Sequence, residues 1–298
     1  MQKTVLCFSL FVLLSACENS TPDKSAAGTP QETPQLQEKV IYGSDDRKDL
    51  YEVRSALQRR LADSTVALIK EENLQEGADV TRIIAQTFRK SYNLCPSERF
   101  GEQENAAFCS GSLVAPDVIA TAGHCVRSVR DCSETRFVFG YAVKSAGVQP
   151  REVPSSEVYR CAEIIHTEVL ATGSDFALIK LDRAVANHAV LKTRKRGSIK
   201  VGTSLVVIGH PVGLPTKVAA GAKVRSATES EHFVANLDTY GGNSGSAVFN
   251  SSGVIEGILV RGDTDFVYQG SCTVSNRCDS AECRGEDVTR ITRILPYL

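Results

Sequence analysis

Net charge is almost absent from this chain: 34 Lys and Arg face 35 Asp and Glu, a formal balance of −1. Without an excess of positive charge there is no footprint for nucleic acid or an acidic membrane surface, and neither is expected as a partner. After the N-terminal segment no apolar run reaches the roughly 20 residues that a membrane-spanning helix needs. No C-x-x-C pair occurs and the five histidines lack ligand spacing, so neither a metal nor another cofactor is indicated. No internal repeat is visible. What is present is bulk. The 298 residues, 42% of them hydrophobic, suffice for one large or two small domains with proper cores. A monomer is expected.

The N-terminus reads as a targeting segment. Lys3 supplies positive charge, and residues 5–14 form an apolar stretch too short to span a bilayer. Leu14-Ser15-Ala16-Cys17 then resembles the lipobox of bacterial lipoproteins. That resemblance implies a signal peptide over residues 1–16, lipidation of Cys17 and residence in the bacterial cell envelope. Glu18, where an aspartate would favour the inner membrane, points to the outer membrane. The alternative is an ordinary signal peptide with an incidental cysteine. Residues 17–39 are rich in Pro, Thr, Ser, Gln and Ala with no apolar period, and read as a flexible tether or pro-segment. Of ten cysteines, Cys7 and Cys17 fall in this leader. The others are Cys95, Cys109, Cys125, Cys132, Cys161, Cys272, Cys278 and Cys283, an even set that reads as disulfides in an exported chain.

Order should begin near residue 40. Leu50, Val53, Leu57 and Leu61 fall on one helical face, and a second helical stretch is expected near residues 80–88. From Cys109 the pattern changes to short apolar segments between turns, at 109–114, 118–122, 137–141, 164–166 and 176–181. It resumes after Arg196 at 205–209, 224–227, 233–236, 246–249 and 254–260. Many short strands of this kind indicate an all-β sandwich or barrel. The basic run 192–196 between the two sets reads as a solvated linker.

Cleaving a peptide bond requires a nucleophile, a base to take its proton, a carboxylate to orient that base, and N–H donors for the developing oxyanion. Candidates for all four occur in Thr121-Ala122-Gly123-His124-Cys125, Asp175-Phe176-Ala177-Leu178-Ile179-Lys180-Leu181 and Gly242-Asn243-Ser244-Gly245-Ser246. These motifs resemble, in order and content, those of chymotrypsin-like serine proteases. The bland alternative makes His124 a core histidine, Asp175 a strand cap and residues 242–246 a hairpin turn, which needs three independent coincidences. The resemblance implies two antiparallel six-stranded β-barrels, over about 60–190 and 197–290 within a domain of residues 40–298, with the site in the cleft between them. It implies a His124, Asp175, Ser244 triad, an oxyanion hole from the N–H groups of Gly242 and Ser244, and a Cys109–Cys125 disulfide. Protein or peptide substrates follow.

Within that family the chain resembles the bacterial glutamyl endopeptidases, through residues 40–47 and the serine region 238–246. Asn243 precedes the serine where digestive trypsins carry the aspartate that traps their new N-terminus. Thr239 matches a pocket threonine of the glutamyl branch, whereas Leu259 stands where that branch has a pocket histidine. Asp238 occupies the position at which trypsins select Lys or Arg, and Arg261 reads as either a pocket cation or a surface residue. Cleavage after Glu/Asp or after Lys/Arg stays open. Cutting Lys39–Val40 would free an α-amino group able to substitute for the absent histidine. An inactive, protease-fold binding module is the competing reading; a chaperone-protease is disfavoured because only about 50 residues follow Ser244, too few for a peptide-binding domain.

Overall fold

The computed structural model describes residues 40–279 and 281–298. The leader, Cys17 and Lys39 lie outside the described residues. The first barrel is built from β1 (Thr65–Lys70), β2 (Ala107–Ala115), β3 (Val118–Thr121), β4 (Thr135–Phe139), β5 (Val158–Val169) and β6 (Asp175–Leu181). It closes in the order β4-β5-β6-β3-β2-β1, with every pairing antiparallel. The second is built from β7 (Ser204–Gly209), β8 (Lys217–Ser226), β9 (His232–Ala235), β10 (Ala247–Asn250), β11 (Val254–Arg261) and β12 (Glu286–Arg290). Its order is β11-β10-β7-β8-β9-β12, and β12 pairs back on β11 to close it, again antiparallel throughout. This is the double six-stranded barrel that the motifs implied. Closure leaves neither barrel with a free strand edge.

Side-chain alternation shows why these segments are strands. In β1, Val66 and Leu68 face the large apolar cluster, while Ala67 and Ile69 face a second cluster beneath a small outer sheet. Both faces are covered, so the segment reads as a continuous apolar run. The large cluster also crosses between the barrels: Leu113, Ile119 and Phe176 of the first share it with Ile208, Phe249, Ile258 and Val260 of the second. Leu205, Val207, Phe233, Val248, Leu259 and Val288 fill the second barrel itself.

Three sequence expectations need correction. The helix expected at 80–88 is absent, because Val80–Ile83 is a strand of alternating exposed and buried side chains between Leu74–Glu76 and Glu152–Pro154. Buried Thr81 and Ile83 lie two residues apart, a strand period and not a helical one. Helix appears only after it, at Phe88–Tyr92. The face of Leu50, Val53, Leu57 and Leu61 is half realised. A single 3-10 turn holds Leu50–Glu52, and the α-helix runs over Ala56–Asp63, with Ser55 as N-cap accepting Gln58 N–H at 3.3 Å. The basic run also differs from a free linker at Arg194, whose guanidinium meets buried Glu256 at 2.8 Å.

All eight cysteines among the described residues are paired: Cys95–Cys272, Cys109–Cys125, Cys132–Cys161 and Cys278–Cys283. Cys95–Cys272 joins the excursion between β1 and β2 to the hairpin Phe266–Gln269/Cys272–Ser275, which follows β11. Phe88, Tyr92, Tyr240 and Phe266 pack together beside it, with ring centroids 4.7 to 6.2 Å apart. No helix among the described residues is long and apolar enough to cross a membrane.

Cys109–Cys125 joins β2 to the turn that carries His124. Replacing both cysteines by alanine should cost roughly 2–5 kcal/mol, read from urea unfolding, and a loss below about 1 kcal/mol would count against that role.

Candidate active site

His124 sits in the 3-10 turn Gly123–Cys125, directly after β3. Asp175 opens β6 and is fully buried. The two meet twice: the His124 backbone N–H donates to Asp175 Oδ1 at 3.1 Å, and Nδ1 lies 2.7 Å from Oδ2. Nδ1–H donating to the carboxylate leaves Nε2 as the ring nitrogen able to take a proton. Asp175 is gripped from the second barrel as well. Its backbone N–H donates to Thr289 Oγ at 3.0 Å, and the same hydroxyl donates to its carbonyl at 3.1 Å. Burial alone would raise the Asp175 pKa, but the His124 hydrogen bonds and charge, with help from Arg261, hold it below the ordinary carboxylate value.

Ser244 lies in the elbow before β10, and the elbow is pressed against the histidine turn. Its carbonyl accepts Ser110 N–H of β2 at 2.8 Å, and Cys125 Sγ lies 3.8 Å from the same oxygen. At Gly245, with φ +89°, a Cβ would lie 2.0 Å from Ser110 O and 2.3 Å from Thr121 Oγ. Only glycine permits that approach. Asn243, where a trapping aspartate would be charged, makes a neutral network: its side-chain NH2 donates to Thr239 Oγ at 2.6 Å and its carbonyl accepts Ser246 Oγ–H at 2.7 Å. Gly242 turns with φ +76°, which also favours glycine. His124 and Asp175 are therefore joined directly, and the Ser244 backbone lies at the seam between the barrels against Cys125, the residue after His124. A base held by a buried carboxylate beside a serine on a sharp turn is an arrangement suited to acyl transfer.

A family model described as a trypsin-like peptidase domain matches residues 109–258, half of the chain. The chain belongs to that family. The match spans all three motifs. Among curated proteins, the human chymotrypsin-like elastase family member 3B is 37% identical over 76 residues, which are 26% of this chain and 28% of that protein. The glutamyl endopeptidase of Bacillus licheniformis is 30% identical over 151 residues, 48% of this chain and 46% of that protein. The chain thus spans less than half the length of these curated relatives. A solved Glu endopeptidase structure superposes with a TM-score of 0.51 at 18% identity, covering 87% of this chain and 97% of that one, which shows the fold.

The remaining candidates of this trypsin-like domain are placed as follows. Asp238 accepts the backbone N–H of Tyr42 at 2.8 Å and of Asp46 at 2.7 Å, so its carboxylate holds the turn between the short strands Ile41–Tyr42 and Arg47–Asp49. Burial pushes its pKa up to about 6 against those two bonds. Thr239 is buried, bonded to Asn243, and its N–H meets the carbonyl of fully buried Val40 at 3.4 Å. Leu259 belongs to the apolar interior of the second barrel. Arg261 is committed to Asp287 at 3.2 Å and to the carbonyls of Leu170 and Gly173 at 3.3 and 2.6 Å, bracing the loop before Asp175. Among the described residues, Cys109, His124 and Cys125 bring potential metal ligands within 4.8 Å, but both sulfurs are spent in one disulfide.

Sequence reasoning missed the supports. Thr289 and the turn at residues 210–214 carry no motif, since each acts through contacts with the main chain of segments distant in sequence. His210 is buried and its Nδ1–H donates to Leu214 O at 3.0 Å, which closes that turn. Val212 within it takes φ +48°, unusual for a β-branched residue, and donates to Gly241 O at 2.6 Å.

Burial depresses the His210 pKa to about 3 against the Leu214 bond, with Lys217 adding to the depression. The unfolded chain takes up this proton near the ordinary imidazole value of 6.5 and the folded chain does not until about 3. Stability from this site is whole above the unfolded value and is lost as pH falls from there. His210→Asn should therefore lose less stability than the wild type between pH 7 and about 4.5 in urea titrations, and equal losses would reject the assignment.

Proposed function

We propose that this chain is a serine endopeptidase. In this reading the Ser244 hydroxyl attacks the scissile carbonyl while His124 Nε2 takes its proton. Asp175 holds the tautomer and stabilises the imidazolium. The N–H groups of Gly242 and Ser244 receive the oxyanion. The tetrahedral intermediate collapses as His124 returns the proton to the departing amine, leaving an acyl-Ser244 ester. Water, deprotonated by the same nitrogen, then releases the acid product and restores Ser244. The observation that carries the reading is the His124–Asp175 couple, bonded at 2.7 and 3.1 Å, beside a serine elbow fixed to the same seam. No triad member is replaced, which weighs against the inactive binding module.

For specificity, the two N–H groups on Asp238 argue against its receiving a basic side chain. The occupied guanidinium of Arg261 argues against its receiving an acidic one. The burial of Val40 beside Thr239 supports a reading in which cutting Lys39–Val40 delivers an α-amino group near the pocket and favours Glu or Asp at P1. A lipid at Cys17 would hold the uncut monomer at the outer membrane, and the same cut would release it. N-terminal sequencing of active enzyme tests this. Full activity in protein beginning at lipidated Cys17 would sink the pro-segment; activity that rises on cutting and falls on acetylation of Val40 is the expected result.

Ser244→Ala should reduce casein or peptide hydrolysis on the order of 10⁴-fold or more. Wild-type turnover in that variant would overturn the triad.

A further inference from the structure

Gly241 is held from outside on both of its peptide groups. Its N–H donates to Asp265 Oδ2 at 2.7 Å, and its carbonyl accepts Val212 N–H at 2.6 Å. We infer that Asp265 is a positioning residue for the oxyanion-binding turn, acting with Val212 to fix the peptide that ends in the Gly242 N–H. The inference rests on the proposed role of that N–H in the acyl-transfer reading.

The argument begins with the sequence. Gly241 and Gly242 stand together, and two successive glycines are the stretch of backbone least able to hold its own dihedrals. Left alone, the peptide between them would be free to turn over. In a planar trans peptide, C=O and N–H point in opposite directions. Val212 fixes the Gly241 carbonyl on one side and so sends the Gly242 N–H to the other. Asp265 fixes the preceding peptide, and with it the Gly241 Cα about which the flip would turn. A carboxylate acceptor makes this bond stronger than a neutral one would be.

Asp265 is itself well anchored. Its backbone carbonyl accepts Asn276 N–H at 2.7 Å, and the Asn276 side chain donates to Thr264 O at 2.8 Å, which closes the base of the hairpin. Phe266 follows in the aromatic cluster with Phe88, Tyr92 and Tyr240, and Cys272 is bonded to Cys95. Tyr240 enters that cluster one residue before Gly241. Both ends of the Asp265–Gly241 bond are therefore mounted on one packed unit. A residue so placed touches no reacting atom. It acts by keeping a donor aimed before substrate arrives, which is where preorganised electrostatic catalysis draws its advantage.

The test uses the full chain, a peptide substrate chosen from a library with the wild type, and a peptidyl aldehyde of the same sequence, whose hemiacetal oxygen occupies the oxyanion position. Asp265→Ala should lower kcat about 10–100-fold with KM within about 3-fold, and should weaken the aldehyde by the same factor as kcat/KM. Asp265→Asn keeps an oxygen acceptor without the charge and should fall only about 3–10-fold in kcat. A wild-type kcat in folded Asp265→Ala, or a rise in KM with kcat intact, overturns the inference. If Asp265→Ala does not fold, wild-type kcat in Asp265→Asn overturns it alone. Ser244→Ala assayed alongside separates the two readings: activity surviving there would reject the underlying reaction, whereas loss there with an intact Asp265→Ala rejects only the positioning role.

Discussion

One backbone hydrogen bond, from Ser110 N–H in the first barrel to Ser244 C=O in the second, registers the two halves of the site at 2.8 Å. Much of the local chemistry depends on that registration. The histidine turn follows β3, which pairs with β2, and the serine elbow is pressed onto β2. Gly245 permits the contact by lacking a Cβ that would strike Ser110 and Thr121. Thr289 repeats the device at the far end of the seam, gripping Asp175 from the second barrel. The relative placing of the His124 turn and the Ser244 elbow is therefore set by strand backbones and not by loops, which suits the reaction proposed for them, since acyl transfer tolerates little misplacement.

A second constraint is the buried polar layer around the short strand Arg47–Asp49. Arg47 lies between Asp45 and the Tyr240 hydroxyl, each at 2.8 Å. Lys217 meets Asp49 and Gln103 at 2.7 Å and Pro215 O at 2.8 Å. Burial lowers the Lys217 pKa to about 8 despite the attraction of Asp49. Charges so deep are tolerated because they are paired, and removing one partner would leave the other exposed to the full cost of desolvation. Such a layer specifies one position for this strand, whose preceding turn Asp238 also holds, where apolar packing alone would leave its register looser.

How much of this was legible in the sequence follows from the range of each interaction. His124, Asp175 and Ser244 each stand inside a contiguous motif, because their backbone settings are local: a turn after a strand, the first residue of a strand, a glycine-flanked elbow. The barrels were legible where apolar and polar residues alternate between turns. β12 was not, because Glu286-Asp287-Val288-Thr289-Arg290 looks like surface and is buried only through pairing with β9 and β11. The strand at Val80–Ile83 reads as helix in the sequence because, of its two partners, the adjacent Leu74–Glu76 is short and largely exposed and Glu152–Pro154 lies some seventy residues away. The pocket candidates read least well. Asp238 and Arg261 carry charge that a sequence cannot show to be already committed to Tyr42, Asp46 and Asp287.

The Cys95–Cys272 bridge has a consequence for the molecule's covalent topology. It closes a ring over a sequence separation of 177, and all strands from β2 through β11 lie inside that ring. In the chain-entropy picture a ring of that size restrains the unfolded chain by on the order of 5 kcal/mol. The smaller rings of Cys109–Cys125 and Cys132–Cys161 are nested within it. On the proposed function, copies of this chain would nick one another in surface turns, and a nick at any single peptide bond between residues 95 and 272 opens the ring without releasing a fragment. The two pieces stay tied by sulfur as well as by the apolar layer between the barrels, so a once-cut molecule keeps its full mass until it is reduced.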